Sequence, residues 1–295
     1  MIRVRNGSCK DGKPVNPTAA NDLRDCKPYR WRIEIRFVKL RVLLLIVYGL
    51  ATPFLRADQK ELLVGMEMSF PPFEMLDSSG QPAGISVDMA RAMGQFLNRP
   101  IRFENIPFDG LIPSLKTGKI DVIISSLTMT EDRKKSIDFS DPYLNMGLAI
   151  LANKNSDIQS IDDVDKPGRN VAVKKGTTAD IYAMQHFKNA KVLVFNDESA
   201  CAIEVGQGKA DCFIYDQISV FQNWKRHQDR TRAILQPFEK EEWAMGIRKG
   251  NDDLRTQIND FIKRFKQSGG FEQLGVKYLG ENKKAFEELG IPFYF

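Results

Sequence analysis

The run Val122-Ile123-Ile124 is apolar at every position, and this constrains the chain more than any other feature. A strand with one face in water alternates. A strand that is apolar throughout is buried on both faces, as in a parallel sheet covered by helices. The surroundings agree. Leu62-Leu63-Val64-Gly65 reads as a short strand, and Ser86 to Leu97 sets Val87, Ala90, Met93 and Leu97 on one helical stripe. Ile101-Arg102-Phe103 alternates as a strand, and Asp109 is placed to cap a short helix carrying Leu111, Ile112 and Leu115. The order is βαβαβ, which implies a mostly parallel sheet flanked by helices.

A second round begins near residue 150. Val171-Ala172-Val173 reads as strand, about Thr178 to Phe187 as helix, and Val192-Leu193-Val194-Phe195 as strand. A helix from Glu198 to Gln207 and the strand Cys212-Phe213-Ile214-Tyr215 follow. Near the end, Leu254, Ile258, Phe261, Ile262 and Phe265 form one amphipathic stripe, and Gly269-Gly270 stops that helix. Extended segments near Leu148–Leu151 and Trp243–Ile247 are expected to join the two units as a two-stranded hinge. The expected lobes are 58–149 with 245–295, and 150–244.

The N-terminal segment bears on compartment. Arg36, Lys39 and Arg41 precede the apolar run Val42–Leu50, and Leu55-Arg56-Ala57 offers a small residue for cleavage. A charged segment followed by about nine apolar residues fits a secretory signal and is short for a membrane span. Residues 1–57 are therefore expected to be a leader with its apolar region at 42–50, and the mature protein periplasmic. An N-terminal membrane anchor that stays on is the alternative. No methionine lies between Met1 and Met66, so residues 1–35 are open to being an overlong start. The leader holds twelve of the 43 basic and four of the 38 acidic residues, leaving 31 and 34 in the remainder. That balance gives no electrostatic case for nucleic acid. Two histidines, His186 and His227, are too few and too far apart to suggest a metal site, and no cofactor is expected. Cys201 and Cys212 are the cysteines of the mature part. An oxidising compartment permits a bridge between them, and two small buried hydrophobes are the plainer reading.

In open α/β sheets, ligands bind beyond the carboxyl ends of the strands. After the first strand stand Glu67 and Phe70; Phe108 opens the next loop; Ser126 and Thr128 follow Val122–Ile124, with Arg133 one turn into a helix. In the second unit, Lys174-Lys175-Gly176-Thr177-Thr178 follows one strand and Asp216 another. A strand feeding a Gly-Thr turn and a helix N-terminus makes a cradle of N–H groups suited to an anion. Arg133 offers a planar fork for a carboxylate, Asp216 an acceptor for an ammonium, and the two phenylalanines apolar walls. Together they describe a pocket for a zwitterionic α-amino acid. Each also has a plainer reading: a solvated arginine, a helix cap at Asp216, core phenylalanines, a surface Lys174.

Phe108 to Tyr143, "FDGLIPSLKTGKIDVIISSLTMTEDRKKSIDFSDPY", resembles the core signature of bacterial periplasmic polar amino-acid binding proteins, the family 3 solute-binding components of ABC transporters. "VGMEMSFPPFEMLDSSGQPAGISVDMARAM", "VAVKKGTT" and "ADCFIYD" fall in that family's order. The resemblance covers about residue 60 to the C-terminus. It implies an α/β, two-lobed type II periplasmic-binding-protein fold that closes over an amino acid and delivers it to a permease in the inner membrane, as a monomer and without catalysis. By resemblance, Arg133 clamps the ligand carboxylate with Thr128 and the Thr178 amide. Asp216 and the Ser126 carbonyl take the α-ammonium, and Phe70 and Phe108 sandwich the side chain. Lys174 belongs to the same set. Glu67, where relatives often carry Asp, favours an Arg, Lys, His or Gln ligand, and Ser125-Ser126 resembles the members that bind basic amino acids. Phe70 replaces a frequent Tyr. Two rivals stand beside this reading. One is a cyclohexadienyl or arogenate dehydratase-like enzyme on the same fold, though no nucleophile–base pair, phosphate loop or metal cluster is legible. The other is a tethered sensor domain, for which residues 58–295 carry neither a span nor an output domain.

Overall fold

A computed structural model describes residues 60–288 and 290. The expected leader, with its apolar run 42–50, lies outside the described residues. Two five-stranded sheets organise the rest, and they share one plan.

The first sheet has the order β5-β1-β6-β13-β7, formed by Ile101–Asn105, Leu62–Met66, Val122–Ile123, Gly246–Ile247 and Asp138–Phe139. The second has the order β10-β9-β11-β8-β12, formed by Lys191–Phe195, Asn170–Lys174, Cys212–Asp216, Leu144–Asn153 and Thr231–Trp243. In each, three neighbouring strands run parallel, the fourth is reversed, and the fifth pairs antiparallel with the fourth. The parallel strands are the short apolar runs anticipated from sequence, and β6 is buried at both positions. A small sheet of β2 (Ser69–Phe70), β3 (Glu74–Leu76) and β4 (Pro82–Ala83) leads into helix α1 (Ile85–Phe96), whose Val87, Ala90 and Met93 are buried.

Helix α2 (Phe108–Lys116) starts one residue before the expected cap at Asp109. Pro107, at φ −51°, stands at the cap position, where its missing N–H costs the helix nothing, and Asp109 falls in the first turn, where a negative charge suits the helix dipole. Helix α3 (Glu131–Ser136) is capped by Thr130, whose hydroxyl accepts the Arg133 N–H at 3.2 Å. Helices α4 (Thr178–His186), α5 (Glu198–Gly206) and α6 (Gln217–Arg226) cover the second sheet. Helix α7 (Asp252–Gln267) buries Leu254, Ile258, Phe261 and Ile262 as its stripe requires, and Gly269 follows in the left-handed region at φ 74°. Helix α8 (Gly270–Glu288) lies along α1 through Lys277 and Tyr278, which both donate to Asp88. Its far end reaches α6, where Phe286 meets the Phe221 ring edge-on at 5.5 Å.

The chain passes between the sheets just after β7 and returns just before β13. The outward crossing lies before Leu144, a few residues earlier than the sequence suggests. Leu148 to Leu151 is inside β8, paired with β11 on one side and β12 on the other, so its backbone is committed to the second sheet. The two crossings run side by side: the Tyr143 N–H donates to the Trp243 carbonyl at 2.9 Å, and Ser140 N–H to Met245 O at 3.0 Å. Cys201 and Cys212 are buried free thiols, which settles them as small core residues.

Gly84 joins the small sheet to α1 at φ 116° and ψ 179°, a conformation nearly confined to glycine. A Cβ there would lie 2.4 Å from Phe73 O and 2.7 Å from Pro72 O. Gly84→Ala should destabilise the fold by about 1–3 kcal/mol, read as a lower midpoint in urea denaturation.

Candidate functional site

The carboxyl ends of β1, β6, β9 and β11 point toward one small cavity. Glu67, Phe70, Phe108, Ser126, Thr128, Arg133, Thr178 and Asp216 all line it. These are eight of the nine residues singled out from sequence. The ninth, Lys174, is adjacent and reaches the cavity through Glu67.

Arg133 is held by its position one turn into α3. Only 7 % of it is exposed. Its Nη1 donates to the Thr128 carbonyl at 2.6 Å, and its Nη2 crosses to the Gly176 carbonyl of the second sheet at 3.1 Å. Among the described residues no carboxylate lies within ion-pair distance of it. Burial pulls its pKa down to about 10, so the guanidinium stays charged at neutral pH. The Phe108 ring stands 5.6 Å from its Cζ. Thr130 caps the helix, and Arg133 is nonetheless buried and lines the cavity.

Asp216 is likewise both a helix cap and a cavity-lining residue. Its Oδ1 caps α6, accepting the Ile218 and Ser219 N–H groups at 3.0 Å each. Its Oδ2 is buried without a partner. Burial pushes its pKa up to about 6. A carboxylate that leaves one oxygen empty in a buried cavity forgoes a hydrogen bond worth about 1–3 kcal/mol, and a donor arriving there recovers it.

Ser126 sits at φ 49°, outside the region usual for residues with a Cβ. Such a conformation costs roughly 1–2 kcal/mol and turns the backbone away from the strand direction at the cavity edge. Its hydroxyl donates to Glu74 Oε2 at 3.2 Å, and that of Ser125 to Glu74 Oε1 at 3.4 Å.

The turn after β9 is partly self-satisfied, unlike the open cradle expected. The Gly176 N–H donates to Asp180 at 2.9 Å, and Thr177 N–H to Lys174 O at 3.3 Å. Gly176 adopts φ 74°, which brings this turn close to Asp109. Lys174 is 2 % exposed and ion-paired with Glu67, whose other oxygen accepts the Phe108 N–H at 3.3 Å. It is therefore a buried lysine, while its neighbour Lys175 is the exposed one, paired with Asp109 at 2.8 Å.

Sequence reasoning missed Glu74, Tyr215, Glu241 and Trp243, all of which line the cavity. Tyr215 adjoins Asp216 at the strand end and was open to the same argument. Glu74 lies in β3 and Glu241 in the long strand β12, where nothing in the local pattern marks them. Glu74 is fully enclosed and burial raises its pKa to about 8. Burial likewise raises Glu241 to about 7, beside Thr178, Thr128 and Arg133, and its Oε1 has no partner. Phe70 stacks on Phe73 at 5.5 Å and meets Tyr215 and Trp243 edge-on at 5.8 and 6.1 Å, making an apolar wall rather than a lone ring. Among the described residues, no group of three or more His, Cys, Asp or Glu is arranged to hold a metal.

Comparison with known proteins agrees with this architecture. Residues 62–281 match the model of the bacterial extracellular solute-binding proteins, family 3. The L-cystine-binding protein TcyJ of Escherichia coli (strain K12) is 29% identical over 225 residues, 76% of this chain and 84% of that protein. The crystal structure of the ancestral amino acid-binding protein AncCDT-1, a precursor of cyclohexadienyl dehydratase, is 34% identical with a TM-score of 0.68, covering 74% of this chain and 95% of that one. An ancestral arginine-binding protein bound to glutamine is 34% identical with a TM-score of 0.69, covering 75% of this chain and 98% of that one. With its two sheets, its cavity and a match over most of its length, the chain belongs to the bacterial extracellular solute-binding proteins, family 3.

Proposed function

We propose that this protein binds a polar L-amino acid between its two sheets and presents it to an ABC permease. The observation that carries the reading is a pair of unmet charges in one cavity. Among the described residues Arg133 is a buried cation with no carboxylate within ion-pair distance, the nearby Glu241 being itself pushed toward neutrality by burial, and Asp216 is a buried acid with one oxygen empty. An isolated buried charge is costly, and a charge that gains a hydrogen-bonded partner recovers much of that cost. A zwitterionic α-amino acid supplies both partners at once: its carboxylate to Arg133, Thr128 and Thr178, its ammonium to Asp216 Oδ2 and the Ser126 carbonyl. Phe70 and Phe108 flank the side chain. Glu67 points the side-chain end toward Arg, Lys, His or Gln, and its pairing with Lys174 narrows that set.

The lobes expected from sequence are 58–149 with 245–295 and 150–244; within the described residues the second lobe is taken to begin at Leu144, where β8 joins the second sheet. Because Arg133, Ser126 and Thr128 come from one side and Asp216 and Thr178 from the other, the closed form binds the ligand better than an open one. The ligand shifts the equilibrium by that difference alone. The paired crossings at Tyr143 and Trp243 suit such a closing motion. The relatives described above are named as binding proteins, which supports capture and delivery from the periplasm over catalysis. The dehydratase rival would require turnover of a prephenate-like acid.

A thermal-shift screen over the twenty amino acids tests the reading, since a tight ligand raises the melting point by mass action. Arg133→Ala should weaken binding by roughly 100-fold or more, the usual consequence of truncating one member of a buried charge pair. It should lower the melting point of the unliganded protein, because it removes the hydrogen bonds to the Thr128 and Gly176 carbonyls and the cation nearest the buried Glu241. Retained affinity in Arg133→Ala would remove the carboxylate clamp.

Asp216 must be ionised to accept an ammonium. With its pKa raised to about 6 by burial, a proton has to leave before ligand enters at lower pH. Affinity should therefore fall toward about tenfold per pH unit below about 6. Calorimetry across the acid range checks this, and Asp216→Asn should flatten the limb. A wild-type affinity constant down to about pH 5 would exclude Asp216 as the acceptor.

A further inference from the structure

Glu241 stands where a ligand carboxylate would be held. It lies in β12, two residues before Trp243, whose backbone forms a bridge with Thr128. The carbonyl of the next residue, Glu242, accepts the Met129 N–H at 2.8 Å. This pairing sets the Glu241 side chain beside those of Thr128 and Thr178 and near Arg133. Arg133, Thr128 and Thr178 are the groups that the amino-acid reading gives to the ligand's carboxylate. An acid among them is unexpected, because an ionised Glu241 would repel the ligand it helps to surround.

Only 5 % of Glu241 is exposed, and its Oε1 is enclosed without a hydrogen-bond partner. Two charged groups act on it: Arg133, which lies beyond ion-pair distance, and Asp216, a second buried acid. The other ionisable groups lining the cavity are Glu67, paired with Lys174, Glu74, held by the hydroxyls of Ser125 and Ser126, and Tyr215. Among the described residues none of them gives Glu241 a counter-charge. A buried carboxylate in this position gives way to its neutral form, and burial accordingly raises its pKa to about 7.

A ligand carboxylate on Arg133 carries the same argument further. Two carboxyl groups side by side are stable when they share one proton, since both cannot ionise. A protonated Glu241 has an O–H to donate and remains an acceptor through its other oxygen. It can therefore keep a threonine hydroxyl as donor and still give a hydrogen bond to the ligand.

We propose that Glu241 is a proton-bearing member of the carboxylate clamp, so that the protein takes up a proton together with the α-amino acid it binds. This rests on the reading of the cavity as an amino-acid pocket. Where Glu241 is ionised in the empty protein, solvent supplies the proton; where it is already neutral, none is exchanged. Ligand raises the pKa of Glu241, so affinity is full below the value in the empty protein and is lost as pH rises through it. Affinity should fall toward about tenfold per pH unit above about 7. With the acid limb of Asp216, the profile is a bell.

Calorimetry with each of the twenty L-amino acids at about pH 8, in phosphate and in Tris, counts the protons, because the two buffers differ widely in ionisation enthalpy. The wild-type protein should take up about 0.8–1 proton per amino acid bound. Glu241→Gln keeps a donor and has no proton to exchange; it should take up less than about 0.2 and hold its affinity level between about pH 7 and 8. Glu241→Met, which removes donor and acid together, should also end the uptake and should bind about tenfold or more weakly than Glu241→Gln. Binding without uptake in the wild-type protein overturns the proposal and leaves the amino-acid reading intact. So does uptake that persists in either variant, since the proton then belongs to another group. Binding of none of the twenty overturns the amino-acid reading itself, and the proposal with it.

Discussion

The Arg133 guanidinium sits buried with no carboxylate partner among the described residues, across one cavity from the empty oxygen of Asp216. Much of the structure is arranged so that this situation is tolerable and useful. Carbonyls of Thr128 and Gly176 hold the guanidinium in place without neutralising it. Two helix N–H groups hold Asp216 by one oxygen and leave the other. Neutral hydrogen bonds fix the geometry, and among the described residues no ion-pair contact neutralises either group. Preorganisation of this kind places the ordering cost in the fold instead of in the binding step.

The surrounding carboxylates extend the same logic. Glu74 and Glu241 are buried along with Asp216, and burial raises all three toward neutrality. The serine hydroxyls on Glu74 and the threonines beside Glu241 partly offset that cost. The cavity therefore holds more potential negative charge than a single arginine balances. The Lys174–Glu67 pair balances another part internally, so the Glu67 end of the cavity differs electrically from the Arg133 end. Its two partners come from different sheets, as do Arg133 and Gly176, so each link forms only when the sheets face one another.

The sheet plan explains why one cavity collects residues from so far apart in the chain. Each sheet puts three parallel strands side by side with their carboxyl ends on one edge, and the two crossings at Tyr143 and Trp243 turn those edges toward each other. Helix α8 ties the arrangement together on the far side, with Tyr278 on α1 and Phe286 on α6. Any opening motion must carry or slide that helix.

The strands, the main helices and most of the pocket were legible in the residues themselves. Apolar runs such as Val122–Ile124 mark double burial, the stripe through Leu254 and Phe265 marks a helix face, and residues that follow a strand's last apolar position fall at the cavity edge. These signals are local in sequence. Three matters were decided only by the tertiary structure. Glu74 and Glu241 reach the cavity from β3 and β12, where no neighbouring residue announces a site. The outward crossing precedes Leu144 because β8 finds antiparallel partners in β11 and β12, strands roughly sixty and ninety residues further along, as their pairing with residues 144–153 shows. And Lys174, a site candidate in sequence with a surface lysine as its plainer reading, is buried because the second sheet carries it against Glu67. Backbone periodicity is written into short stretches of chain; the pairing of a buried charge depends on which distant strand end lies opposite, which the chain expresses only when folded.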